Sequence, residues 1–126
     1  MVRSKIIFVG RLETGTGLKE FLRWLKSKKG KFSVDFIGDG PLRSKCWRFG
    51  RVHGFINPLP FYRKATLCVL GGYLAYLEAK SQGCKIKTFA SNPLRQDYWQ
   101  GIKRLKKIPT WTEVTDAYLT LYHRFK

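Results

Sequence analysis

The stretch Ala65-Thr66-Leu67-Cys68-Val69-Leu70-Gly71-Gly72-Tyr73-Leu74-Ala75-Tyr76-Leu77-Glu78-Ala79-Lys80-Ser81-Gln82-Gly83-Cys84 contains a strand, a turn and a helix in one run. Thr66 to Leu70 is short, apolar and β-branched enough to read as a buried strand. Two glycines follow, where a backbone must turn sharply or come close to a ligand. From Tyr73 the pattern is helical as far as Gln82, with Gly83 placed to close it. The first N–H groups of such a helix have no partner inside it and attract an anion. Glu78 stands among Leu74, Ala75, Leu77 and Ala79, an odd environment for a carboxylate. Strand, glycine turn, helix start and carboxylate together suit a phosphate beside a sugar hydroxyl. A plain strand-to-helix junction with a solvated Glu78 has the same spacing.

Outward from this unit, apolar β-rich runs alternate with helical patterns. Lys5 to Val9 reads as a strand ending at Gly10, and Leu18, Phe21, Leu22 and Leu25 mark one helical face that Gly30 stops. Ser33 to Ile37 is a second strand, followed by the turn Gly38-Asp39-Gly40-Pro41, and Arg51 to Phe55 a third. Pro58 to Lys64 reads as a short helix, since proline suits a first turn. Lys85 to Phe89 is a fifth strand and Gln96 to Leu105 a further helix, weakened by Gly101. Thr110-Trp111-Thr112-Glu113 is a capping box, opening a helix whose apolar stripe runs through Val114, Tyr118, Leu121 and Phe125. Alternation of this kind requires right-handed crossovers. The fold class is therefore α/β: a single Rossmann-like domain over 1–126, with a mainly parallel sheet of about five or six strands flanked by helices. In such sheets the ligand lies at the carboxyl ends of the strands.

Composition bounds the partners. The chain has 126 residues, 44% of them hydrophobic and 15% aromatic, enough for one packed core. No apolar run approaches the roughly 20 residues that span a bilayer, and the N-terminal apolar segment is too short for a signal peptide. Three cysteines without Cys-x-x-Cys spacing read as reduced thiols of a cytoplasmic protein, Cys68 in the core. His53 and His123 stand far apart and offer no metal cluster. Twenty-five basic residues against eight acidic ones give a formal charge of +17. A surface of that sign attracts nucleic acid, an anionic membrane face or phosphorylated ligands. Its clusters are Lys26-Ser27-Lys28-Lys29-Gly30-Lys31, Arg43 to Arg51, and Lys103-Arg104-Leu105-Lys106-Lys107; taken singly, each is first of all a solubilising face. The polyanion patch is assigned to Lys103, Arg104, Lys106 and Lys107, four cations within five positions.

The order of these motifs resembles the C-terminal, donor-binding domain of a GT-B glycosyltransferase, half of a GT-B fold, and especially the large retaining family 4. Ile7-Phe8-Val9-Gly10-Arg11-Leu12 followed by Gly17 is similar to that family's opening strand and glycine-arginine loop. Val34-Asp35-Phe36-Ile37-Gly38-Asp39-Gly40-Pro41-Leu42 resembles its second strand and Gly-Asp-Gly turn, and Val52-His53-Gly54-Phe55-Ile56 its strand and loop on the nucleobase side. Leu77-Glu78-Ala79-Lys80-Ser81-Gln82-Gly83-Cys84 resembles its Glu-Ala helix, and Trp111 to Phe125 its closing segment.

The resemblance implies roles. Arg11 pairs with the diphosphate of a nucleotide-diphosphate sugar, the donor substrate, and Gly10 lets the loop approach it. Backbone N–H groups of Tyr73 and Leu74 receive a phosphate. Glu78 accepts hydrogen bonds from the ribose, and the backbone around Gly54 and Phe55 faces the nucleobase. The implied chemistry is metal-independent, retaining glycosyl transfer without a cofactor. Two positions depart from the family. Thr16 stands where a lysine helps to neutralise the diphosphate, with Lys19 or Lys64 as nearby substitutes, and Leu70 stands where a second carboxylate lies.

The first strand begins within five residues of Met1, so the chain is expected to lack an acceptor-binding domain, as a half-enzyme, a fold with altered function or a piece of a longer protein. The expectation is a minimal or split enzyme completed by a partner subunit or by self-association, cytoplasmic and peripheral to an anionic membrane that carries the acceptor. A basic, non-catalytic module that binds nucleic acid or anionic lipid is the alternative, and a scaffold derived from the same fold is a third reading.

Overall fold

The structure is a computed structural model describing residues 4–103. The expected helix from Trp111 to Phe125, and Arg104, Lys106 and Lys107, lie outside the described residues. Ten elements follow one another: β1 (Ser4–Val9), α1 (Leu18–Ser27), β2 (Phe32–Ile37), α2 (Arg43–Cys46), β3 (Arg51–Gly54), α3 (Leu59–Lys64), β4 (Leu67–Leu70), α4 (Tyr73–Ser81), β5 (Ile86–Lys87) and α5 (Pro93–Lys103).

The five strands form one sheet in the order β3-β2-β1-β4-β5, every pair parallel, flanked by helices in a Rossmann-like arrangement. β1 is central, with Phe8 in register with Phe36 on one side and Val69 on the other. The chain builds outward from β1 to β3, then crosses back to lay β4 on the other side of β1. The strand order therefore reverses between β1 and β4, and a crevice opens there at the carboxyl ends.

Both faces of β1 are covered, because successive side chains point to opposite sides. Ile6 and Phe8 join the cluster packed by Leu18, Phe21, Leu22 and Leu25 of α1, with Cys46 of α2. Ile7 and Val9 join the opposite cluster, with Tyr62 of α3, Leu77 of α4 and Trp99 of α5. Phe21 stacks on Phe8 at 5.7 Å between centroids and meets Phe36 edge-on at 6.1 Å. Each fully buried ring of this kind contributes roughly 1.5–3 kcal/mol relative to exposure. Cys68 is buried, as its place in an apolar strand predicts, and so is Cys46, whose thiol burial pushes up to about 11.

Several boundaries differ from the sequence reading. α2 was not expected: Arg43 to Arg51 reads as a charge cluster, yet it forms one helical turn because buried Cys46 anchors it to the core. α5 begins at Pro93, before Gln96, because the Asn92 side chain accepts the Arg95 N–H at 2.8 Å and Pro93 opens the first turn. It continues through Gly101, which sits in open space. β5 is shorter than Lys85 to Phe89, because Phe89 leaves the sheet to pack on Phe21 and Trp24 of α1, both at 5.8 Å. α4 closes as expected: the Cys84 N–H reaches the Ala79 carbonyl at 3.1 Å and the Gly83 N–H that of Lys80 at 3.0 Å, two bonds that satisfy its last carbonyls.

Candidate functional site

The strand ends meet at three glycines. A Cβ on Gly38, at the end of β2, would lie 1.9 Å from the Gly10 carbonyl oxygen, and one on Gly10 would lie 2.9 Å from the Cα of Gly71. Both positions also have positive φ, +148° and +151°, so glycine is required there twice over. The backbones of β1, β2 and β4 therefore converge without side chains between them. The floor of the crevice is bare peptide.

Over this floor lies a groove of about 630 Å³ between the loop Gly10–Thr16, the start of α4 and the side chains of Arg95 and Tyr98. A second hollow of about 320 Å³ adjoins it, walled by Phe55, Ile56, Pro58 and Glu78. The two share Gly10, Arg11, Leu74 and Ala75, and so form one continuous trough. Gly10, Arg11, Tyr73, Leu74, Phe55 and Glu78, chosen from the sequence, all line it. Gly54 does not; its carbonyl accepts the Gly38 N–H at 2.9 Å and so fixes the loop that carries Phe55.

At one end, α4 follows its N-cap Gly72 without any side-chain cap, so its first N–H groups have no partner within the helix, and Gly72, Tyr73 and Leu74 line the trough. Arg11 stands opposite, 60% exposed, its Nε donating to Glu13 Oε2 at 3.0 Å. An exposed pair of this kind is worth about 0–1 kcal/mol, so an incoming anion displaces it readily. Glu13 was missed in the sequence; it follows the arginine by two positions and nothing in the spacing alone tells that the two pair. Thr16 has a different use from a lysine. Its hydroxyl donates to the carbonyls of Arg11 at 3.1 Å and Glu13 at 2.9 Å, tying the loop into shape.

The second cation of the trough is Arg95, also missed. Its guanidinium donates to the Gly71 carbonyl and lies over the rings of Tyr98 at 4.6 Å and Trp99 at 5.4 Å. Its Nε is buried without a partner among the described residues. Burial raises the Tyr98 phenol, opposed by the Arg95 charge and by a backbone hydrogen bond at Tyr73. Lys19 and Lys64, the sequence candidates for a substitute cation, lie elsewhere: Lys19 in a hollow beside α1 and Lys64 at a small hollow with Asp35. Leu70 is core, 1% exposed.

At the other end, Glu78 is half-buried. Its Oε2 accepts a bond from the Tyr62 hydroxyl at 3.3 Å. Burial raises its pKa above the ordinary carboxylate value, and the Tyr62 bond opposes that shift. His53 pairs with Asp35 at 2.7 Å on the neighbouring strands and takes no part in the trough. Lys103 ends α5 as an exposed residue and does not line the trough.

A single five-stranded parallel sheet with a crevice at its switch point defines a Rossmann-like fold of the kind found in GT-B glycosyltransferases. The chain is similar to the apo form of the lipopolysaccharide outer core galactosyltransferase WaaB, at TM-score 0.60 and 17% identity, covering 85% of this chain and 40% of that one. It is also similar to the catalytic domain of cholesterol-alpha-glucosyltransferase from Helicobacter pylori, at TM-score 0.55 and 20% identity, covering 93% of this chain and 99% of that one. The chain thus spans less than half the length of the galactosyltransferase. At these identities the likeness is one of fold. No family model and no curated protein matches the chain.

Proposed function

We propose that this protein binds a nucleotide-diphosphate sugar in the trough and serves as the donor half of a glycosyltransferase. One observation carries the reading: an uncapped helix start with two arginines at one end of the trough, and a half-buried carboxylate at the other. The diphosphate lies over the start of α4 between Arg11 and Arg95, where N–H groups and guanidinium forks match its oxygens. The ribose hydroxyls donate to Glu78, and the base lies toward Phe55. Arg11, Arg95 and the α4 terminus together stabilise the departing nucleotide diphosphate as the glycosyl bond breaks. Retention of configuration and independence from metal belong to this reading as implications of the resemblance to the retaining family 4.

The acceptor side is completed by a partner domain or a second copy of the chain. Phe55, at 75% exposure, and Ile56 and Leu74 rim the trough as exposed apolar residues, and Leu94, at 79%, stands beside Arg95. Exposed apolar groups gathered at a site mark a surface that another surface covers. The alternative, a basic non-catalytic module, leaves the trough without a ligand. Titration calorimetry of the chain against UDP-, GDP- and ADP-glucose tests the proposal. Saturable heat with one of them, competed by the matching nucleoside diphosphate, is the expected result; no binding of any of the three overturns it.

A further inference from the structure

A second cavity lies on the face of the sheet that α1 covers, opposite the face packed by α4. It measures about 520 Å³ and opens between α1 and α2, with Leu22 and Phe49 as its apolar floor. Lys19, Arg23 and Lys26 of α1 and Lys45 and Arg48 of the α2 segment make up the rest of its wall. It shares no lining residue with the trough.

Three features set this cavity apart from an ordinary solvated face. The five cations come from two sequence clusters and a helix stripe, brought together by the core contacts of Leu22, Leu25 and Cys46. No carboxylate lines the cavity, and among the described residues none of the five forms an ion pair. Lys19, Arg23 and Lys26 follow one another at helical spacing along a single stripe, an arrangement in which like charges destabilise the helix. The described residues therefore hold a concentrated positive potential over a concave, partly apolar surface whose lining carries no carboxylate.

We infer that the α1–α2 cavity is a second anion site that takes a ligand carrying two or more clustered phosphate groups. Two arginines supply planar forks for phosphate oxygens, three lysines supply mobile point charges, and Leu22 with Phe49 excludes water beneath them. The same chemistry is offered by a free polyphosphate and by the phosphomonoester headgroups of an anionic membrane. Trp47, half exposed at the end of α2 and next to Arg48 in sequence, suits either a lipid interface or a bulky organic phosphate.

Amide chemical shifts of the whole chain, titrated with inorganic tripolyphosphate, test the site residue by residue. Saturable shifts are expected at Arg23, Lys26 and Arg48, whatever happens at Gly72 and Leu74 in the trough, so the outcome is independent of the donor-binding proposal. They are expected to vanish when Lys19, Arg23, Lys26, Lys45 and Arg48 are all replaced by glutamine. They should persist when Lys29, Lys31, Arg51, Lys64 and Lys85, equal in charge and exposed elsewhere, are replaced instead. Citrate should bind at least about tenfold more weakly than tripolyphosphate, since it lacks clustered phosphate. Co-sedimentation with phosphatidate vesicles, lost only in the first variant, assigns the source to a lipid surface; tripolyphosphate binding without it assigns a soluble ligand. Shifts confined to Gly72 and Leu74, equal loss in both variants, or retention of duplex DNA binding alone overturns the inference. Unchanged melting of the first variant excludes misfolding as the cause of a loss.

Discussion

The Tyr62 hydroxyl lies 3.3 Å from Glu78 Oε2 and 3.4 Å from the Ala75 carbonyl, and its bond to the carboxylate holds one of the Glu78 oxygens. Tyr62 is 1% exposed and cannot follow a mobile side chain, so its phenol fixes one carboxylate oxygen. Glu78 also lines the hollow beside Phe55. A helix face that looked apolar in sequence thus presents an acceptor at the trough.

Glu78→Gln keeps an oxygen for Tyr62 and has similar helix propensity, so the fold should persist. Nucleotide affinity should fall by about 1.5–3 kcal/mol, the scale of a hydrogen bond to a charged group. Wild-type protein should prefer ribonucleotides over 2′,3′-dideoxy ones in calorimetry, and the variant should lose that preference. Equal affinity of the wild type for both would remove Glu78 from the ribose site.

Glu78 also sets a pH dependence. Its folded pKa lies above the unfolded value of 4.5, because burial disfavours the anion. The folded state then holds the proton more tightly, so stability is greatest below the unfolded pKa and declines as pH rises toward the folded one. Chemical denaturation across mildly acidic pH should show this decline in the wild type and a flatter profile in Glu78→Gln. Tyr62→Phe removes the opposing bond and should move the decline to higher pH.

Arg11→Ala should weaken binding of a nucleoside diphosphate by about 1.5–3 kcal/mol while leaving the melting temperature nearly unchanged, since its pair with Glu13 is exposed. Glu13→Gln should act in the opposite direction. It frees Arg11 and removes a negative charge from the mouth of the trough, so affinity should rise. Affinity that falls in Glu13→Gln would mean the pair itself organises the site.

Arg95→Met keeps much of the side chain's length and removes its charge. Loss of the bond to the Gly71 carbonyl and of the ring contacts should cost about 1–3 kcal/mol of stability. The diphosphate affinity should fall as well, and fall less for the nucleoside monophosphate. Arg95→Lys should restore the charge but not the planar fork, leaving an intermediate affinity.

Gly38→Ala should be among the most damaging small changes in the chain. Its Cβ meets the Gly10 carbonyl at 1.9 Å, a backbone atom that cannot rotate away. A loss of at least about 1–3 kcal/mol, read by denaturant titration, follows from the overpacking alone. The same substitution at Gly101, in open space, should cost nothing or stabilise α5.

Local chemistry made much of this fold legible. Apolar runs bounded by glycine marked β1, β2 and β4; the Leu18, Phe21, Leu22 and Leu25 face marked α1, and all four are buried. That Gly10, Arg11, Tyr73 and Leu74 line the trough was legible because they follow a strand end or open a helix, and Glu78 stood out as a carboxylate among apolar neighbours. α2 was illegible because four residues carry no period, and the full length of β5 was misread because Phe89 gains more from Phe21 and Trp24 than from an edge strand.

The sequence by itself determined the alternation of strands and helices, the parallel sheet that follows from it, and the excess of positive charge. These depend on residues close together in the chain and on composition. Tertiary structure alone decided which charges act together. Arg95 reaches the Gly71 carbonyl only because Trp99 and Ile102 of α5 join the core of Leu70 and Leu77, and Lys19, Arg23 and Lys26 meet Lys45 and Arg48 only because Cys46 is buried with Leu22 and Leu25. Electrostatic sites are set by distance in space, and contacts between residues far apart in sequence fix that distance.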